Sequence, residues 1–206
     1  VPTPLSHYDP LLPELRAQIP PFGVVTIIGS EGSGKSALGY GVLESLQLDG
    51  RQVLVLGLPA DKHHLLPPFI KPFDSIELPD ESIVLADEAH LLYYARESMK
   101  APNKFIDSFI GLVRQKGILA IYVTQAGRKI ELGLISASRV LLIKQPSLLA
   151  QRLERREIRD ILADATEAFK RVESGSGSHQ VPVPPAELER VGNDTLIKPA
   201  CLFATY

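Results

Sequence analysis

The chain has 206 residues, 45% of them apolar and 22% charged, and a net charge of −2. That balance excludes wholesale disorder and a globally basic nucleic-acid binder, so any polyanion site must be a local patch. Cys201 is the single cysteine, so an internal disulfide is excluded; with no run approaching the roughly 18 apolar residues of a membrane span, the expected setting is a soluble, reducing compartment.

In chain order, residues 1–22 read as an N-terminal arm with one helical turn at Pro13–Ala17; Pro2, Pro4, Pro10 and Pro13 oppose a secretory signal. Val24–Ile28 reads as a buried strand. A glycine-rich turn follows, and Lys35-Ser36 open a helix to about Gln47 with Leu38, Val42, Leu43 and Leu46 on one face, stopped by Asp49-Gly50. Gln52–Gly57 is a second buried strand, and strand–helix–strand implies a parallel sheet. Residues 58–82, with Pro59, Pro67, Pro68, Pro72 and Pro79, read as loop with room for a short strand at Ser75–Leu78. Ile83–Glu88 is a third buried strand, ending in two acids. A helix from about Asn103 to Gln115 carries Phe105, Ile106, Phe109, Ile110 and Val113 on one side and is capped by Gly117. Ile118–Thr124 is a fourth strand, Leu132–Ala137 a short helix, Arg139–Lys144 a fifth strand, and Ser147 to about Val172 a helix. The main domain therefore spans 23–172. Residues 173–185, with Ser174-Gly175-Ser176-Gly177-Ser178, read as a flexible linker, and 186–206 as a tail that docks on the domain or on a neighbour, its last stretch as an edge strand.

The run Gly29-Ser30-Glu31-Gly32-Ser33-Gly34-Lys35-Ser36 is G-x-x-x-x-G-K-[ST], set between an apolar strand and a helix as that motif requires. The glycines let the chain close on a polyphosphate. Loop and helix N–H groups point at the anion, with the helix dipole behind them. Lys35 supplies a point charge for the β- and γ-phosphates, and the Ser36 hydroxyl is placed for Mg²⁺. A Gly/Ser turn without function is the plain alternative, and the full motif in its strand–helix setting weighs against it.

Asp87 and Glu88 lie at the carboxyl end of a buried strand, the edge where α/β sheets bind ligands. Asp87 would hold Mg²⁺ through water. Glu88 would polarise the attacking water as a general base, pointing to nucleoside triphosphate hydrolysis rather than phosphate binding alone. A helix N-cap acid pair is the plain alternative, and the P-loop weighs against it. Thr124-Gln125 end the next strand, where an amide can sense the γ-phosphate or the lytic water. From Arg96 to Lys129 the chain carries seven cations against two acids, which supports a local polyanion track within a slightly acidic protein, with solvated loop lysines as the plain alternative. Arg152, Arg155, Arg156 and Arg159 share one helical face with acids beside them, which suits a solvated or intersubunit face. His63-His64 read as loop residues.

The order of these features resembles the FtsK/HerA superfamily of DNA-translocating ATPases. The features are the strand–P-loop–helix, the strand ending Asp-Glu, the helix ending Val113-Arg114-Gln115-Lys116-Gly117, the strand ending Val-Thr-Gln, and Gly133-Leu134-Ile135 with Ser138-Arg139-Val140. The resemblance covers about residues 23–145, and the run from Arg114 to Gln125 is its more specific part. The family's Arg-Pro after Thr-Gln is replaced here by Ala126-Gly127-Arg128.

The resemblance implies a RecA-like (ASCE) P-loop NTPase fold, α/β with a mainly parallel sheet flanked by helices. The strand ending in Gln125 should lie between the P-loop strand and the acid-ended strand. The resemblance also implies ATP and Mg²⁺, a homo-oligomeric ring in which Arg114 acts as an arginine finger on the neighbouring site, and double-stranded DNA as partner. Lys100, Lys104, Arg128 and Lys129 are the candidate DNA contacts. The expected catalytic set is Lys35, Glu88, Gln125 and Arg114, with Ser36 and Asp87 at the metal. By size, and lacking a membrane segment, the chain is most similar to small viral genome-packaging ATPases, working in the host cytoplasm at a capsid or portal vertex. Two other tasks remain open at this point: conjugative or filamentous-phage DNA transport, and a nucleotide-dependent protein switch.

Overall fold

Strands buried on both faces have no polar side to alternate, so continuous apolar runs separated by helices assemble as a parallel sheet. The computed structural model describes residues 13–75, 77–87, 102–125, 132–144, 156–173, 190–191, 194–195 and 200–204. The elements are α1 (Pro13–Gln18), β1 (Gly23–Gly29), α2 (Lys35–Leu46), β2 (Val53–Leu56), β3 (Ile70–Phe73), β4 (Ile83–Asp87), α3 (Pro102–Gln115), β5 (Leu119–Gln125), α4 (Leu132–Ala137), β6 (Ser138–Lys144), α5 (Arg156–Glu173), β7 (Arg190–Val191), β8 (Asp194–Thr195) and β9 (Ala200–Ala204). Seven strands form one sheet in the order β3-β2-β4-β5-β1-β6-β9, and every pairing in it is parallel. β7 and β8 make a separate antiparallel pair that the sequence reading missed.

Alternate residues of the strands feed two cores. On one face Leu38, Val42, Leu43 and Leu46 of α2 pack on Val25, Ile27, Val55, Leu85, Ile121 and Leu142. On the other, Ile106, Phe109, Ile110 and Val113 of α3 pack on Val84, Ala86, Ala120 and Tyr122, while Ile158, Leu162 and Ala165 of α5 cover Ile28, Leu141 and Ile143. The result is three layers with the sheet in the middle. Among the described residues no helix is long and apolar enough to cross a membrane.

One buried polar chain crosses the sheet. The Ser138 hydroxyl donates to the Leu134 carbonyl at 2.6 Å, so Thr26 Oγ1 is the donor in its own 2.6 Å bond to Ser138 Oγ. Each of these buried hydroxyls is thereby satisfied.

α3 ends where expected. Gly117 adopts a left-handed conformation (φ 63°), and the Ile118 amide donates back to the Val113 carbonyl at 3.0 Å, turning the chain directly into β5.

Residues 58–82 differ from their reading. A 3₁₀ turn covers Ala60–Leu65, and the extra strand is β3 at Ile70–Phe73, not Ser75–Leu78. Pro72 has no N–H for a ladder, but among the described residues β3 pairs only with β2 and is the sheet's edge, a position that tolerates proline. The start of the helix expected from Ser147 and the linker from 174 onward lie outside the described residues. β9 pairs with β6 on the opposite edge.

Candidate functional site

All seven residues of β1 are buried, so the strand delivers a rigid loop to the sheet's carboxyl edge. The loop is built on close approach. A Cβ on Gly29 would lie 2.6 Å from Ser33 Oγ, 2.8 Å from Lys144 Cβ and 3.2 Å from Lys35 Cγ, so only glycine fits. The Ser33 amide donates to the Ser30 carbonyl at 3.2 Å. Gly34 then starts α2 from the left-handed region (φ 80°, ψ 23°), with no side chain capping the helix. A helix start without a side-chain cap is an anion-favouring end.

Lys35 is 93% buried, and its ammonium donates to the Ser30 carbonyl at 2.6 Å, lying back along the loop. Ser36 is exposed on the first turn of α2. The Ser33 hydroxyl is buried, with no hydrogen-bond partner among the described residues. A buried donor in that state costs free energy that a phosphate oxygen would recover. Together with the glycine-lined turn and Lys35, this loop fits a nucleotide's phosphates.

The strand register brings the other predicted groups to the same edge. Gln125 is the residue of β5 opposite Gly29. Asp87 ends β4 level with Val123, which in turn pairs with Ile27. β5 lies between β1 and β4, as expected. Glu88, Lys100, Arg128 and Lys129 lie outside the described residues; Lys104 falls in the first turn of α3.

Arg114 lies elsewhere. It is exposed in the last turn of α3, and β5 begins at Leu119 after the Gly117 turn. The length of β5 therefore separates it from the loop, about 20 Å at the usual rise per residue. It lines a cavity of about 350 Å³ between α3 and α4 with Asp107, Ile110, Gly111, Ser136 and Ala137.

The sequence reading missed one residue at the loop. Lys144 ends β6 beside Gly29 and is 95% buried. Burial lowers its ammonium's pKa, because desolvation disfavours the charged form. The available signal was a lysine closing an apolar strand, but nothing local in the sequence said which strand that one would neighbour. Of the histidines set aside, His63 shares a 2.8 Å hydrogen bond with the carbonyl of Leu58, just before the 3₁₀ turn.

A parallel sheet with one strand inserted between the loop-bearing and the acid-ended strands, and a Gly-Lys-Ser loop at its carboxyl edge, is the RecA-like P-loop NTPase fold. Among solved structures the chain is similar to the genome packaging NTPase B204 from Sulfolobus turreted icosahedral virus 2 in complex with AMP, at 15% identity over 73% of this chain and 88% of that one, TM-score 0.49. It is also similar to B204, the DNA-packaging ATPase from Sulfolobus turreted icosahedral virus, at 17% identity over 76% and 88%, TM-score 0.46. A LAO/AO transport system kinase aligns at 10% identity over 93% and 57%, TM-score 0.32. No family model matches the chain, and no curated protein matches it. The fold assignment rests on the strand order and the loop.

Proposed function

We propose that this chain is a Mg²⁺-dependent ATP hydrolase that works as a ring and moves double-stranded DNA, as in packaging a viral genome into a capsid. The observation that carries the ATPase reading is the register of Gly29 with Gln125 across β1 and β5, with β4 and its terminal Asp87 one strand further on. Loop, sensor and acid thereby share one edge.

In this reading Lys35 and the loop amides hold the β- and γ-phosphates. Ser36 and Asp87 hold Mg²⁺, which when bound neutralises phosphate charge. Glu88 takes the proton of the attacking water, and Gln125 positions that water or senses its departure. Arg114 is too far from its own loop to act there, which favours action on a neighbouring subunit's nucleotide. Arg128, Lys129, Lys100 and Lys104 track DNA phosphates, giving sequence-independent, salt-sensitive binding. The DNA part of the reading is supported by the sequence run from Arg114 to Gln125 and by the cation excess from Arg96 to Lys129.

Steady-state ATP turnover with and without linear duplex DNA tests the proposal. The expected result is Mg²⁺-dependent turnover that rises with DNA. No turnover under either condition would overturn it, and turnover indifferent to DNA would favour a nucleotide-dependent protein switch.

A further inference from the structure

Among the described residues two large apolar side chains are exposed, Phe22 at 38% and Leu65 at 69%. One lies in a hollow and the other on a projection.

Phe22 lines a cleft of about 480 Å³ together with Arg16, Ile19, Leu46, Arg51 and Glu81. The turns that lead into β1, β2, β4 and β5 frame it, so it lies at the amino edge of the sheet, opposite the phosphate loop. Most of its lining is already engaged. The Arg139 guanidinium lies over the Phe22 ring, 4.3 Å from the centroid. Arg16 donates to Asp49 at 2.8 Å, and Arg51 to the Pro21 carbonyl at 2.6 Å. Glu81 differs. It is exposed, and among the described residues its carboxylate has neither a hydrogen bond nor an ion pair. Its backbone is left-handed (φ 56°), a conformation glycine would hold at lower cost. Its amide donates to the Lys116 carbonyl at 2.8 Å, which pins this turn to the end of α3. An unpaired acid is thereby held beside apolar surface.

Leu65 sits on the 3₁₀ turn Ala60–Leu65. Leu58, Leu66 and Phe69 pack on the α2-side core, and His63 shares its 2.8 Å bond with the Leu58 carbonyl, so the turn is anchored while Leu65 stands out. Side chains three apart eclipse in a 3₁₀ helix, which puts Lys62 and Leu65 on one ridge. The Lys62 ammonium is exposed and unpaired among the described residues. A ridge with an apolar tip beside a cation complements a cleft with an apolar lining beside an acid.

We infer that the cleft is an interaction surface for a second copy of this chain, with Leu65 of one copy seated against Phe22 of the next and Lys62 facing Glu81. Unlike patches join copies head to tail, and such contacts close into a ring where the rotation permits. The contact would serve the ring proposed above, but it does not require the nucleotide reading.

The test is sedimentation velocity of the full chain without nucleotide, over a range of concentrations. The variants are Leu65→Asp, Glu81→Lys, Lys62→Glu and the double reversal Glu81→Lys with Lys62→Glu, each checked by thermal melting. Wild type should associate, and Leu65→Asp should weaken association by about ten- to a hundredfold, the effect of losing one buried apolar side chain. Each single reversal should weaken it by placing like charges together, and the double reversal should recover most of the loss. Should Glu81→Lys fail to fold, Leu65→Asp and Leu65→Ser, on an exposed side chain, carry the comparison. A wild type that stays monomeric at every concentration overturns the inference. So does association that Leu65→Asp leaves unchanged, or a pair of reversals that do not compensate. ATP turnover is a separate readout: a chain that associates through this surface and hydrolyses no ATP upholds the contact and overturns the ATPase reading.

Discussion

In the proposed function Lys35 holds the nucleotide and Glu88 serves its cleavage. Lys35→Ala removes the main counter-charge of the terminal phosphates and should weaken ATP binding by about ten- to a hundredfold, since charge-assisted hydrogen bonds contribute about 1.5–3 kcal/mol; turnover should vanish with it. Glu88→Gln keeps shape and removes the base, so binding should persist while turnover falls by about 10²–10⁴-fold. Nucleotide titration and phosphate release on both variants check this, and wild-type turnover by Glu88→Gln would remove Glu88 from the mechanism. Gly29 gives a steric prediction. With Ser33 Oγ at 2.6 Å and Lys144 Cβ at 2.8 Å from the added atom, Gly29→Ala must push the loop open. It should cost about 1–3 kcal/mol of stability, seen as a lower denaturation midpoint, together with most nucleotide affinity. The loop was legible in the sequence because its glycines, Lys35 and Ser36 sit at fixed spacing along one short stretch. Lys144 was not, because its meaning comes from a β1–β6 register that joins residues more than a hundred positions apart.

At the scale of elements, α3 supports the sheet and carries Arg114 in its last turn. Phe109, Ile110 and Val113 are buried against β4 and β5. Phe109→Ala should cost about 3–5 kcal/mol, measurable by chemical denaturation, and a cost below about 1 kcal/mol would contradict the packing described. Arg114 is exposed at the other end of β5 from the loop, so its removal should spare ATP binding. As a finger acting in trans it should nevertheless cost on the order of 10³-fold or more in turnover. Mixing Arg114→Ala with Lys35→Ala subunits should restore part of the activity, because one supplies the intact site and the other the intact finger. Full activity of Arg114→Ala alone would remove the finger role. α2, α3 and the strands beside them were readable from apolar periodicity and from Gly50 and Gly117, whose left-handed φ values end their elements. β3 was misread because Pro72 argues against a strand unless the strand is known to be an edge, and edge status is a property of the finished sheet.

For the molecule as a whole, strand order decides what the site can be. A sheet in which β5 separates β1 from β4 gathers Gly29, Gln125 and Asp87 on one edge and leaves Arg114 at the other, an arrangement suited to a site completed by a neighbouring subunit. The proposed polyanion track draws on the cation excess between Arg96 and Lys129 in a chain of net charge −2. The parallel sheet and its helical layers followed from the alternation of apolar runs and amphipathic stretches; the β7–β8 pair did not, because its strands are only two residues each and carry no periodicity. In the proposed function this fold converts ATP hydrolysis into movement along duplex DNA. Displacement of a triplex-forming strand from linear duplex DNA, followed in time with ATP, with ADP and with the Glu88→Gln variant, measures that movement. The wild-type chain should displace the third strand with ATP and Mg²⁺ only, and Glu88→Gln should not; ATP turnover that leaves the third strand in place would contradict movement along DNA.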